Sequence, residues 1–165
     1  MAEINFEIQV EQTVIRASVN VPEEPVRPVD LLPVIQGLSS AVIGAATGEL
    51  PVTCSYGCAA CCRQLVPVSV TEAIALIALI AEMPPERKAA VLARFENALA
   101  KVKSAGLLEH FQPGVLTNIA ITRETALDYF NLRIDCPFLE DEACLIHEQR
   151  PLSCREYLAV SPPAN

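Results

Sequence analysis

The chain has 165 residues, 52% of them hydrophobic and 19% charged, which is one domain's worth of sequence with enough apolar material for a core and excludes wholesale disorder. Five Phe, three Tyr and no Trp leave that core to Leu, Ile, Val and Ala. Twenty acidic residues against twelve basic ones give a net charge of −8; this argues against nucleic acid and against an anionic membrane surface, since both are held by a surplus of Lys and Arg.

The N-terminus, MAEINFEIQV, has no basic or continuous apolar stretch, so secretory targeting is not expected. Within it Ile4, Phe6, Ile8 and Val10 alternate with Asn5, Glu7 and Gln9, and residues 13–21 are rich in Val, Ile, Thr and Ser. The pair predicts a β-hairpin turning near Glu11 and Gln12. Pro22 to Pro28 reads as a linker.

Asp30 is placed to open a first helix, with Leu31, Val34, Ile35, Leu38, Ala41, Val42 and Ala45 at helical spacing and Gly48 as its stop. Ser69 and Glu72 form a capping box for a second helix running to about Glu82. That helix is apolar almost all round, so it is expected to be buried at the centre of the fold. Its run from Ala73 to Ala81 is the longest unbroken apolar stretch, well short of the roughly 20 residues of a transmembrane helix. No membrane span is therefore expected, and the cytoplasm is the expected setting. Pro84 and Pro85 start a third helix with Val91, Leu92, Phe95, Ala98, Leu99 and Val102 as its stripe, Lys101 and Lys103 at its negative end and Gly106 beyond it. A short fourth helix is expected from Thr122 to about Asn131. From Asp135 onward no amphipathic element is visible, and the last third is expected to need something other than a core to hold it. The fold class expected is mainly α with some β. It is a single domain over 1–165, with a hairpin and linker over 1–28 and a helical, cysteine-cluster portion over 29–165.

The seven cysteines fall into two blocks. Cys54, Cys58, Cys61 and Cys62 lie in CSYGCAACC; Cys136, Cys144 and Cys154 lie in CPFLEDEACLIHEQRPLSC. An odd count in a chain without a secretory signal is poor material for a disulfide framework, and clustering points to a thiophilic metal or cluster. On a helix Cys58, Cys61 and Cys62 would share a face. Zn²⁺ takes four such ligands, and iron–sulfur clusters take four thiolates. Adjacent Cys61 and Cys62 are not expected both to bind one ion terminally. Cys136 and Cys144 bracket a Glu-Asp-Glu turn resembling a small knuckle, and His147 follows Cys144 at a ligand-like step. Arg63, Arg150 and Arg155 stand beside cysteines, where a cation would favour thiolate; the alternative is surface pairing with Glu148 or Glu156.

CSYGCAACCRQLVPVSVTEA followed by CPFLEDEACLIHEQRPLSCREY resembles the YkgJ-type CxxCxxCC family, described as zinc- or iron-chelating. The resemblance spans roughly residues 54 to 158 in two blocks and includes the Cys-x-Ile-His-x-x-Arg-Pro-x-x-Cys-Arg segment. It implies Cys54, Cys58, Cys61, Cys62, Cys136, Cys144 and Cys154 as metal-binding positions. The first gap, Cys54 to Cys58, holds three residues where the family pattern has two. Related sequences commonly continue past the equivalent of Pro163, so the ending SPPAN reads as a candidate truncation that could lack a further ligand.

Two functions are expected: a domain chelating zinc or iron, or an iron–sulfur protein with an electron-transfer or redox role. A third, a radical-SAM-type enzyme, has only the Cys54, Cys58, Cys61 spacing behind it, and helices follow the motif instead of a βα barrel. No catalytic set is identified: His110 and His147 are the two histidines, and neither has an evident orienting partner.

Overall fold

The computed structural model describes residues 2–10, 13–48, 59–111 and 119–158. Strands β1 (Ala2–Val10) and β2 (Thr13–Val21) pair antiparallel, with Ile4 opposite Val19, Phe6 opposite Ala17 and Ile8 opposite Ile15. The period of two puts these residues on one face, which packs on the first helix. Arg16–Glu7, at 2.8 Å, and the Ser18 hydroxyl on Glu3, at 2.6 Å, lace the other face. The predicted turn at Glu11 and Gln12 lies outside the described residues.

A 3-10 turn over Pro28–Leu31 leads into α1 (Leu32–Ala46), so Asp30 precedes the α-helix proper and its carboxylate holds Arg27 at 2.8 Å. Thr47 ends α1, its hydroxyl bonding the Ile43 carbonyl at 2.7 Å. Helix α2 (Val70–Glu82) starts at the capping box read from the sequence, with both reciprocal bonds of Ser69 and Glu72 formed. Helix α3 (Pro85–Ser104) ends before Gly106, whose φ of 73° is the left-handed conformation glycine adopts without cost. Helix α4 (Ile119–Asn131) begins three residues earlier than the cap at Thr122 suggested. A two-residue hairpin, β3 (Leu139–Glu140) and β4 (Ala143–Cys144), turns through Asp141 and Glu142 at positive φ, and a short α5 (Leu152–Glu156) follows. The fold is mainly helical with an N-terminal hairpin.

Two expectations need correction. Helix α2 is not enclosed: Val70, Ile74 and Ile77 are 78%, 53% and 67% exposed, and among its described apolar residues only Ile80 is buried. The described elements cover α2 on one side only, so an all-round apolar sequence leaves one face in solvent. The last third does contribute to the core. Ile80 and Val91 pack with Phe138 and Ile146, and Phe95 meets Phe138 edge-on with ring centres 5.5 Å apart. These two residues flank the small hairpin, and anchors placed by a turn carry no period. Ile134 joins Val102 and Leu107 in a second cluster. Separately, Pro28–Ala46 is long and apolar enough, by length and composition alone, to cross a bilayer, with 6% of its most apolar 18-residue window buried. Asp30, Gln36, Ser39 and Ser40 interrupt it, so a count of unbroken apolar residues misses it.

Candidate metal centre

The 3-10 turn over Ala60–Arg63 presents Cys61 and Cys62 just ahead of α2. The second block reaches them through its backbone: the Cys136 N–H donates to the Cys62 carbonyl at 2.7 Å. Arg63 reinforces the junction from outside, with Nε 2.7 Å from Asp135 and Nη2 2.9 Å from Glu142. Arg94 on α3 holds the hairpin at the carbonyls of Pro137 and Leu139, at 3.1 and 3.2 Å, and pairs with Glu140.

The Cys154 segment is fixed by Glu72. One oxygen of this buried carboxylate completes the capping box at 2.8 Å, and the other accepts the Leu152 N–H at 2.8 Å, at the first residue of α5. A single side chain thus satisfies orphan N–H groups at two helix starts. Burial pushes the Glu72 carboxyl up, but the bonds from Leu152 and Ser69 outweigh it and hold the group below its ordinary range. The Ser153 hydroxyl adds a bond to the Pro67 carbonyl at 2.9 Å.

These contacts bring Cys61, Cys62, Cys136, Cys144 and Cys154 to the wall of one cavity of about 250 Å³, and all five are free, partly buried thiols. Phe95, Tyr129, Phe138 and Ile146 supply apolar wall, His147 and Arg150 complete its polar side, and no carboxylate lines it among the described residues. Cys54 and Cys58 lie outside the described residues. His147 is at the cavity, 3.5 Å from Glu148, whereas His110 bonds the Thr125 hydroxyl at 3.1 Å elsewhere.

The thiols do not titrate alike. A hydrogen bond from Cys62 pulls Cys61 down to about 6, against burial that pushes it up; its own backbone and Arg150 assist. The same hydrogen bond pushes Cys62 far up, with burial adding to it. Burial raises Cys136 and Cys144, and pushes Cys154 up to about 12, where Cys136, Cys61 and Cys144 raise it further and Arg150 opposes them. One thiolate forms readily, and each further one is opposed by burial and by its neighbours. A cation among them reverses that balance, because a coordinating thiol is deprotonated outright.

The donor chemistry suits a thiophilic ion: soft sulfur in a partly apolar wall without the oxygen ligands that hard cations require. As arranged, no group of three His, Cys, Asp or Glu among the described residues could hold an ion, so the five thiols ring the cavity without closing on one point. Sequence reasoning found every cysteine of the wall. It missed Arg94 and the second bond of Glu72, since neither residue type nor spacing signals a partner 46 or 80 positions away.

Residues 53–164 match the family model CxxCxxCC, whose description reads "Putative zinc- or iron-chelating domain". No curated protein and no solved structure matches the chain.

Proposed function

Because this chain belongs to the CxxCxxCC family, we propose that it chelates zinc or iron through cysteine thiolates, with Cys61, Cys62, Cys136, Cys144 and Cys154 as the described ligand set and Cys54 and Cys58 as the remaining members. The observation that carries the reading is the meeting of five thiols from two distant blocks around one cavity that no carboxylate lines among the described residues. When bound, the ion supplies the positive charge that lets several neighbouring thiols ionise together. The chain's part is to hold the two blocks in register, through the Cys136–Cys62 backbone bond and the Glu72 clamp.

The test is metal analysis and a visible spectrum on anaerobically purified protein. We expect close to stoichiometric zinc or iron. Less than about 0.2 equivalents of any transition metal would overturn the proposal, since a thiolate site retains its ion strongly. A colourless zinc protein would assign a chelating module, and a brown protein with sulfide would assign the iron–sulfur alternative and its redox role. Cys58→Ser and Cys154→Ser should each lower metal content markedly. Full retention by Cys154→Ser would remove the second block from the site.

A cytoplasmic setting belongs to the same proposal, because glutathione and thioredoxin keep thiols reduced there. Bonds from α1 to the second block support packing on the site over membrane insertion: Gln36 donates to the Arg150 carbonyl at 3.3 Å, and Arg155 to Ser40 at 3.4 Å. Recovery in the membrane fraction, lost on changing Ile35 and Val42 to Asn, would assign the Pro28–Ala46 segment to a bilayer instead.

A further inference from the structure

Arg63 and Arg155 each follow a cysteine in sequence and Arg150 stands four residues before Cys154, and the structure separates the three. Arg63 points to Asp135 and Glu142, so its charge is already compensated. Arg155 braces backbone, donating to the carbonyls of Glu148 and Arg150 and to the Ser40 hydroxyl. Neither lines the thiol cavity; Arg150 does, and among the described residues it pairs with no carboxylate. Its Nε donates to the His147 carbonyl at 2.9 Å, and its own carbonyl accepts from Gln36 and Arg155, so α1 and α5 both fix where it stands. A guanidinium stays protonated at any working pH.

We propose that Arg150 is the charge-compensating residue of this site, holding a fixed positive charge beside thiolates that together outweigh the charge of the ion they bind. The inference rests on the metal-binding reading above. Four thiolates around a divalent ion leave two negative charges in a chain that already carries −8. A cation in the wall offsets part of that, where low dielectric makes it count. Arg150 is a positioning residue and need not touch the ion.

The experiment is competition for Zn²⁺ against a chromophoric chelator, using the full chain and the variants Arg150→Gln and Arg150→Lys, at low and at high salt. Gln retains an N–H donor without the charge; Lys retains the charge without the guanidinium geometry. We expect Arg150→Gln to bind about tenfold or more weakly at low salt, Arg150→Lys to recover most of the loss, and the gap between them to narrow as salt screens it. Circular dichroism and a free-thiol count check that each variant is folded. Equal affinity of Arg150→Gln and the parent chain would overturn the inference while leaving metal binding intact. Equal losses in both variants, insensitive to salt, would assign Arg150 a structural role through His147 and overturn it too. Failure of the parent chain to bind Zn²⁺, with Fe²⁺ tried in parallel, would instead overturn the reading on which the inference rests.

Discussion

Glu72 shows how much one side chain can join. Its two oxygens serve the start of α2 and the start of α5, residues far apart in sequence, and the carboxylate is buried while doing so. Glu72→Gln keeps the shape but replaces one acceptor oxygen by a donor, facing an N–H that then lacks a partner. We expect a loss of about 1–3 kcal/mol, the usual cost of an unsatisfied buried group. The pH dependence follows from the lowered carboxyl pKa. A depressed acid contributes stability that is fully present above its unfolded value near 4.5 and is lost as pH falls through its folded value. Urea melts of Glu72→Gln and the parent chain should therefore differ most at neutral pH and converge in acid. A gap that persists unchanged well below pH 4 would show that the charge of Glu72 is not what stabilises α5.

At the level of elements, the hairpin β3–β4 is too short to stand alone, as isolated two-stranded ribbons are marginal in water. It is held by Phe138 and Ile146 in the core, by Phe95 against Phe138, and by Arg94 on its carbonyls. Phe138→Ala should cost about 3–5 kcal/mol, the range for removing a buried ring. It should also lower metal content, because Cys144 lies in the hairpin and Cys136 leads into it. Calorimetry and metal analysis on one preparation read both. Loss of stability with undiminished metal would show that the ligand set does not depend on the hairpin's packing. Helix α2 is the contrast: its apolar outer face is left exposed. Substitution of Ile77 by Gln should leave the melting temperature nearly unchanged, where Ile80→Ala should lower it clearly.

For the whole molecule, the corrected place of Phe138 and Ile146 changes what chelation should do. The ordering of residues 134–146 is supported by apolar burial and should survive metal removal. The stretch from Leu152 to Glu156 has no buried residue of its own and depends on Glu72, Ser153 and Arg155 for its bonds. A structural zinc site can supply on the order of 10 kcal/mol, and we expect its removal to be felt there first. Trypsin digestion read by mass spectrometry should cut after Arg155 sooner in chelated protein, with cutting after Arg133 little changed and far-UV dichroism mostly retained. Global loss of helix on chelation would show that the metal holds the whole fold.

The sequence alone determined the elements whose signals are local. Alternation in Ile4, Phe6 and Ile8 made the hairpin legible. The Ser69–Glu72 box marked the start of α2, and Pro85 and Gly106 bracketed α3, because caps, breakers and periods act within a few residues. Clustering likewise singled out the cysteines, five of which the fold brings to one cavity. Only the tertiary structure decided which surfaces meet. It put Phe138 and Ile146 in the core, left Val70, Ile74 and Ile77 outside it, and gave Glu72 a second helix to cap. It also brought Arg150, of three similar arginines, to the thiol cavity. Burial and pairing depend on what arrives from elsewhere in the chain, and no local pattern encodes the identity of that neighbour.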